Sequence, residues 1–79
     1  MAEPELARRM GALLRRLRDD LSLSQEALAD RAGLHATYVG NVERGEKNIT
    51  VVTLARVLDA LGLTLAQFFA RLEQQQNEP

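Results

Sequence analysis

The sequence predicts an all-α protein, a compact five-helix bundle, and three observations carry that prediction. Apolar residues return at three- and four-residue spacing through most of the 79 residues, and no segment alternates apolar and polar positions as a half-buried strand does. The stretch from Leu23 to Thr50 reads as two short helices joined by a glycine-marked turn, the sequence pattern of a helix-turn-helix.

The first helix starts at Pro4, whose fixed φ suits a helix N-terminus, and runs to about Asp20 with Leu6, Met10, Leu13, Leu14 and Leu17 on one face. Ser24 is a good N-cap for the second, Gln25 to Arg31, in which Leu28, Ala29 and Ala32 share a face. Gly33 falls where the chain must turn sharply, a place for positive φ. The third helix runs from about Ala36 to Arg44 on a narrow apolar stripe of Val39 and Val42, with Leu34 leading in. Small Ala29 lets these two helices pack closely. Gly45 to Asn48 form a loop, Thr50 caps a fourth helix marked by Leu54, Val57, Leu58 and Leu61, and Gly62 stops it. Thr64 caps the fifth, which carries Leu65, Phe68, Phe69 and Leu72. The domain is expected to span residues 5–72, with 1–4 and 73–79 as frayed termini.

Composition narrows the functional classes. With 46% apolar residues the chain can bury one small core, marginal for a monomer and better for an oligomer. It has no cysteine, which excludes a disulfide framework and thiolate metal sites, and no long apolar run, so it is expected to be soluble and cytoplasmic with no membrane partner. A net charge of −1 argues against a polycation that coats nucleic acid but allows a local basic face, with five arginines between Arg8 and Arg18 and with Arg44 and Lys47 beside the third helix. Taken singly, most of those helix-one arginines read as ordinary solvated charge. A lone histidine, no glycine-rich phosphate loop and no partnered carboxylate cluster make an enzyme, a cofactor, a metal or a small-molecule ligand unexpected.

Several residues carry a resemblance: Leu17-Arg18, Leu23-Ser24-Gln25 with Leu28-Ala29, Gly33-Leu34, Tyr38-Val39, Val42-Glu43-Arg44-Gly45, and Asn48 with Leu54. From Gly11 to Phe69 the chain resembles the Cro/CI-type helix-turn-helix family, also called the Xre family, which includes phage repressors and restriction–modification controller proteins. The run Thr37-Tyr38-Val39 to Glu43-Arg44, followed by Asn48-Ile49-Thr50, is similar to the controller proteins in particular. The resemblance implies a lambda-repressor-like DNA-binding domain and a transcription regulator that binds a palindromic double-stranded operator as a homodimer. Three positions depart from the family pattern. Ser22 stands where glycine is usual, at a position that demands a left-handed backbone; Ala36 replaces a long polar or basic side chain; and His35 replaces a better N-cap, its partial charge favouring a nearby phosphate.

Base reading is expected from Ala36, Thr37, Tyr38 and Asn41. Thr37 and Asn41 lie four apart on one helix face, threonine offering a methyl to thymine and asparagine two hydrogen bonds to adenine; the plainer reading of both is a solvated surface. The Tyr38 ring can pack on helix four while its hydroxyl reaches a phosphate. Phosphate contacts are expected from Ser24, Gln25, His35, Arg44, Lys47 and Asn48. For Gln25 the resemblance implies a phosphate bond, favoured because glutamine has no packing reason to stand there; the plainer reading is an exposed helix starter. Arg44 can instead serve as a cation at the end of the helix dipole. The resemblance makes Arg18 and Glu43 a buried, structural ion pair.

Phe68 and Phe69 point about 100° apart on a helix and do not both fit one small core. With Leu65 and Leu72 they suggest a two-fold dimer seam, as in controller proteins, and otherwise the floor of a monomeric core. The competing function is an antitoxin or protein-interaction module on the same fold, for which small Ala36 and Gly40 leave room.

Overall fold

The computed structural model describes residues 4–77 and contains five helices: α1 (Pro4–Asp20), α2 (Gln25–Ala32), α3 (Ala36–Glu43), α4 (Val51–Leu61) and α5 (Leu65–Asn77). No strand occurs among the described residues.

Local signals set most of the boundaries. The Ser24 hydroxyl accepts from Ala27 N–H at 3.0 Å and opens α2, and Thr50 Oγ1 accepts from Thr53 N–H at 3.1 Å to open α4. Thr64 and Gln67 cap one another at the start of α5: Gln67 N–H donates to the Thr64 hydroxyl, and Thr64 N–H donates to Gln67 Oε1. Gly33 closes α2 at φ +70°, which lets Leu34 N–H reach back to Ala29 C=O at 2.8 Å. Ser22 also lies in the left-handed region, at φ +57°, a conformation that costs a residue with a Cβ about 1–2 kcal/mol. Arg44 is outside α3, forming its C-cap.

The core draws on all five helices, with Leu14, Leu28, Leu54, Leu58 and Phe68 its largest fully buried side chains. Helix α2 packs on both α3 and α4, and α1 crosses α3 at Gly11. A Cβ at Gly11 would stand 2.2 Å from the Val42 carbonyl oxygen and 2.6 Å from that of Glu43, so only glycine permits this crossing.

The C-terminal helix corrects the expected make-up of the dimer seam. Phe68 is fully buried and Leu72 is 4% exposed, so both belong to the core of one chain and neither is free to form a dimer seam. Leu65 is half-buried against the same core, while Phe69 is 39% exposed, its ring edge-on to Phe68 at 5.3 Å. Helix α5 continues past residue 73 to Asn77, through Glu and Gln, which are good helix formers. Pro4 is likewise helical, and the fraying expected of residues 1–3 and 78–79 lies outside the described residues.

Candidate nucleic-acid interface

The N-terminal end of α2 and the outer face of α3 together line a shallow open cleft, bounded by Gln25, Glu26, Ala36, Thr37, Gly40 and Arg44. What holds the two helices in register is a polar network centred on Glu43. Arg18 donates to it twice, Nε to Oε2 at 2.7 Å and Nη2 to Oε1 at 3.0 Å, while Arg18 Nη1 donates to the Leu23 carbonyl at 2.6 Å. The hydrogen bond to Glu43 is the main reason the Arg18 guanidinium is held above its ordinary pKa, against the opposing effect of burial. Gln25 Nε2 adds a third bond to Glu43, at 3.0 Å to Oε1, so one carboxylate ties α1, α2 and α3 together. No buried side-chain polar atom among the described residues lacks a partner.

Gln25 therefore does have a packing reason for its place, contrary to the sequence argument. Its amide lies beside Gly40, where a Cβ would stand 3.3 Å from Gln25 Oε1 and 3.2 Å from Arg44 Nη1. Gly40 thus leaves the surface of α3 open to two polar side chains.

The expected base readers divide into two kinds. Thr37 is exposed on the outer face of α3, and Asn41 is half-buried one turn later on the same face. Ala36 is half-buried and packs partly on the core, presenting little more than a methyl group to the cleft. Tyr38 also packs on the core, its ring lining a small apolar cavity with Leu34, Ile49 and Val57.

Among the expected phosphate binders, Ser24 is exposed at the α2 N-terminus, its hydroxyl engaged as a cap. His35 is the N-cap of α3 and makes no side-chain cap bond. Lys47 and Asn48 are exposed in the loop before α4. Arg44 is already engaged: its Nη2 donates to Asn41 Oδ1 at 2.5 Å and to Glu46 Oε1 at 3.2 Å.

Sequence reasoning missed Arg56. From α4 its Nη2 donates to the Ala32 carbonyl at 2.8 Å and to the Gly33 carbonyl at 3.1 Å, closing the C-terminal end of α2 just before the turn. Nothing local marks it, because its acceptors lie 23 and 24 residues away.

The arrangement is a short helix presented outward by a second helix that braces it, with donors at the N-terminal ends of both. Comparison with known proteins agrees. The helix-turn-helix family model HTH_3 matches residues 14–68. The chain is 35% identical over 68 residues to the control protein C.MunI of a Mycoplasma species, covering 85% of this chain and 92% of the relative. Its fold is similar to that of the restriction–modification controller protein C.AhdI from Aeromonas hydrophila, with TM-score 0.77, 40% identity and coverage of 80% of this chain and 96% of that one. It is also similar to the controller protein C.Esp1396I, solved as a tetramer on its natural 35-base-pair operator, with TM-score 0.82, 26% identity and coverage of 87% and 91%.

Proposed function

The chain belongs to the helix-turn-helix family HTH_3, and from that premise we propose that it is a sequence-specific, DNA-binding transcription regulator of the controller-protein kind. The observation that carries this reading is the outward face of α3, where Thr37 and Asn41 are left for contact while Glu43 is committed to bracing. In the proposed complex α3 enters the major groove, Thr37 offering its methyl group and hydroxyl and Asn41 its carboxamide to base edges. Ala36 contributes at most a methyl contact, and Tyr38 its hydroxyl alone, since its ring is packed on the core.

Phosphates are met around that helix. Gln25 has a second amide hydrogen beyond the one given to Glu43, Ser24 and His35 stand at the N-terminal ends of α2 and α3, and Lys47 and Asn48 flank the groove from the loop. One short helix reads few base pairs, so the chain acts as a homodimer whose two recognition helices lie about one DNA turn apart on a palindrome. Phe69 is the apolar anchor of the dimer seam, with half-buried Leu65 beside it.

Residues 5–72 carry this activity as one domain, in the cytoplasm and without catalysis. No single helix among the described residues is long and apolar enough to cross a membrane.

The test is a binding titration of labelled duplex at several salt concentrations. A steep salt dependence, with affinity lost in Thr37→Ala and Asn41→Ala while both variants stay folded, supports the reading. Salt-insensitive binding, unchanged in both variants, would contradict it.

A further inference from the structure

Asn41 does not stand alone on the reading face. Its Oδ1 accepts from Arg44 Nη2, and that same nitrogen donates its other hydrogen to Glu46 Oε1 at 3.2 Å. The guanidinium lies back along α3 over Gly40, where the missing side chain leaves it a seat: a Cβ there would stand 3.2 Å from Arg44 Nη1. Carboxylate, guanidinium and amide thus form one chain of hydrogen bonds across the end of the recognition helix.

We propose that Arg44, held by Glu46, is a specificity-determining positioning residue that orients the Asn41 amide for adenine. The proposal rests on the DNA-reading function above and replaces a phosphate role for Arg44.

The chemistry follows from the donor inventory. A guanidinium only donates, so the Asn41 atom facing Arg44 must be the carbonyl oxygen, which fixes an amide whose two ends are otherwise similar in shape. Oδ1 keeps one lone pair for adenine N6–H, and both Nδ2 hydrogens remain free for N7. A charged donor on Oδ1 also polarises the amide, making Nδ2–H the stronger donor. Both Nη2 hydrogens of Arg44 are used on Asn41 and Glu46, which disables the paired fork that an arginine offers to guanine or phosphate. Glu46 neutralises Arg44 and keeps it beside Asn41, so a residue with no contact to DNA bears on which base is read.

The experiment uses a duplex selected by the wild-type protein and its single-base variants, titrated with the wild-type chain, Asn41→Ala, Arg44→Met, Glu46→Ala and the Asn41→Ala/Arg44→Met double variant. Wild-type protein should prefer adenine at one position of each half-site by at least about fivefold. All three single variants should flatten that preference at the same position and leave the others in place. Glu46→Ala should also steepen the salt dependence by about one phosphate as Arg44 is released, and the double variant should match Asn41→Ala there. The proposal is overturned if Arg44→Met weakens every duplex alike and makes the salt slope shallower by about one, the signature of a phosphate contact. Glu46→Ala, a change in an exposed loop residue, decides the matter if Arg44→Met does not fold: base preferences unchanged at every position overturn the proposal. Failure of the wild-type protein to select any duplex would instead overturn the DNA-reading function itself.

Discussion

Arg18 on α1 and Glu43 on α3 meet through two parallel hydrogen bonds, at 2.7 and 3.0 Å, with side chains only 9% and 3% exposed. The pair fixes α3 against α1 while Gln25 fixes α2 to the same carboxylate, so in the proposed complex it would aim the recognition helix.

Breaking the pair from one side should cost far more than removing it. Arg18→Met or Glu43→Met alone leaves a buried charge uncompensated and should lower stability by about 3–5 kcal/mol. The Arg18→Met/Glu43→Met double variant should be well short of the sum, by more than about 1 kcal/mol in a urea-unfolding cycle. Strict additivity would mean that the two groups do not act as a unit.

Ser22 is a site where the chain can be made more stable. Its φ of +57° is strained for a residue with a Cβ, so Ser22→Gly should gain about 0.5–1 kcal/mol after glycine's entropic cost. Thermal unfolding should show a higher midpoint, with DNA affinity unchanged. A lower midpoint would place the cost elsewhere than in the backbone.

Gly11→Ala is the reverse case. The new methyl carbon would meet backbone oxygens of Val42 and Glu43, which cannot swing aside, so α1 and α3 must separate. A loss of about 2 kcal/mol or more is expected from the overpacking. The same change should weaken DNA binding further by tilting α3, which an affinity measurement at a temperature where the variant remains folded will report.

The adjacent phenylalanines should separate stability from assembly. Phe68→Ala removes the largest fully buried side chain and should cost about 3–5 kcal/mol. Phe69→Ala loses its edge-on contact with Phe68 and should cost the monomer less, about 0.5–1.5 kcal/mol, while shifting the monomer–dimer equilibrium toward monomer in sedimentation velocity. An unaltered dimer in Phe69→Ala would remove α5 from the proposed seam.

The helices were legible because their signals are local. Ser24, Gly33, Thr50 and Gly62 announce helix ends through bonds that span at most five residues. Spacing alone could not say which of Phe68 and Phe69 turns inward, since that depends on where α5 meets α1 and α4. The bonds from Gln25 to Glu43 and from Arg56 to the end of α2 join residues 18 to 24 apart and follow only from the packed helices. The Asn41–Arg44 pair was within reach, for the two lie three apart on one face, a spacing at which side chains meet.

The most direct test of the account is selection from a random duplex pool, followed by sequencing, at near-physiological salt where non-specific phosphate attraction is suppressed. The expected result is recovery of an inverted repeat with half-site centres about 10 base pairs apart, or a small multiple of that spacing. A folded, dimeric protein that enriches no sequence would contradict it, and the outer face of α3 would then belong to a polypeptide partner.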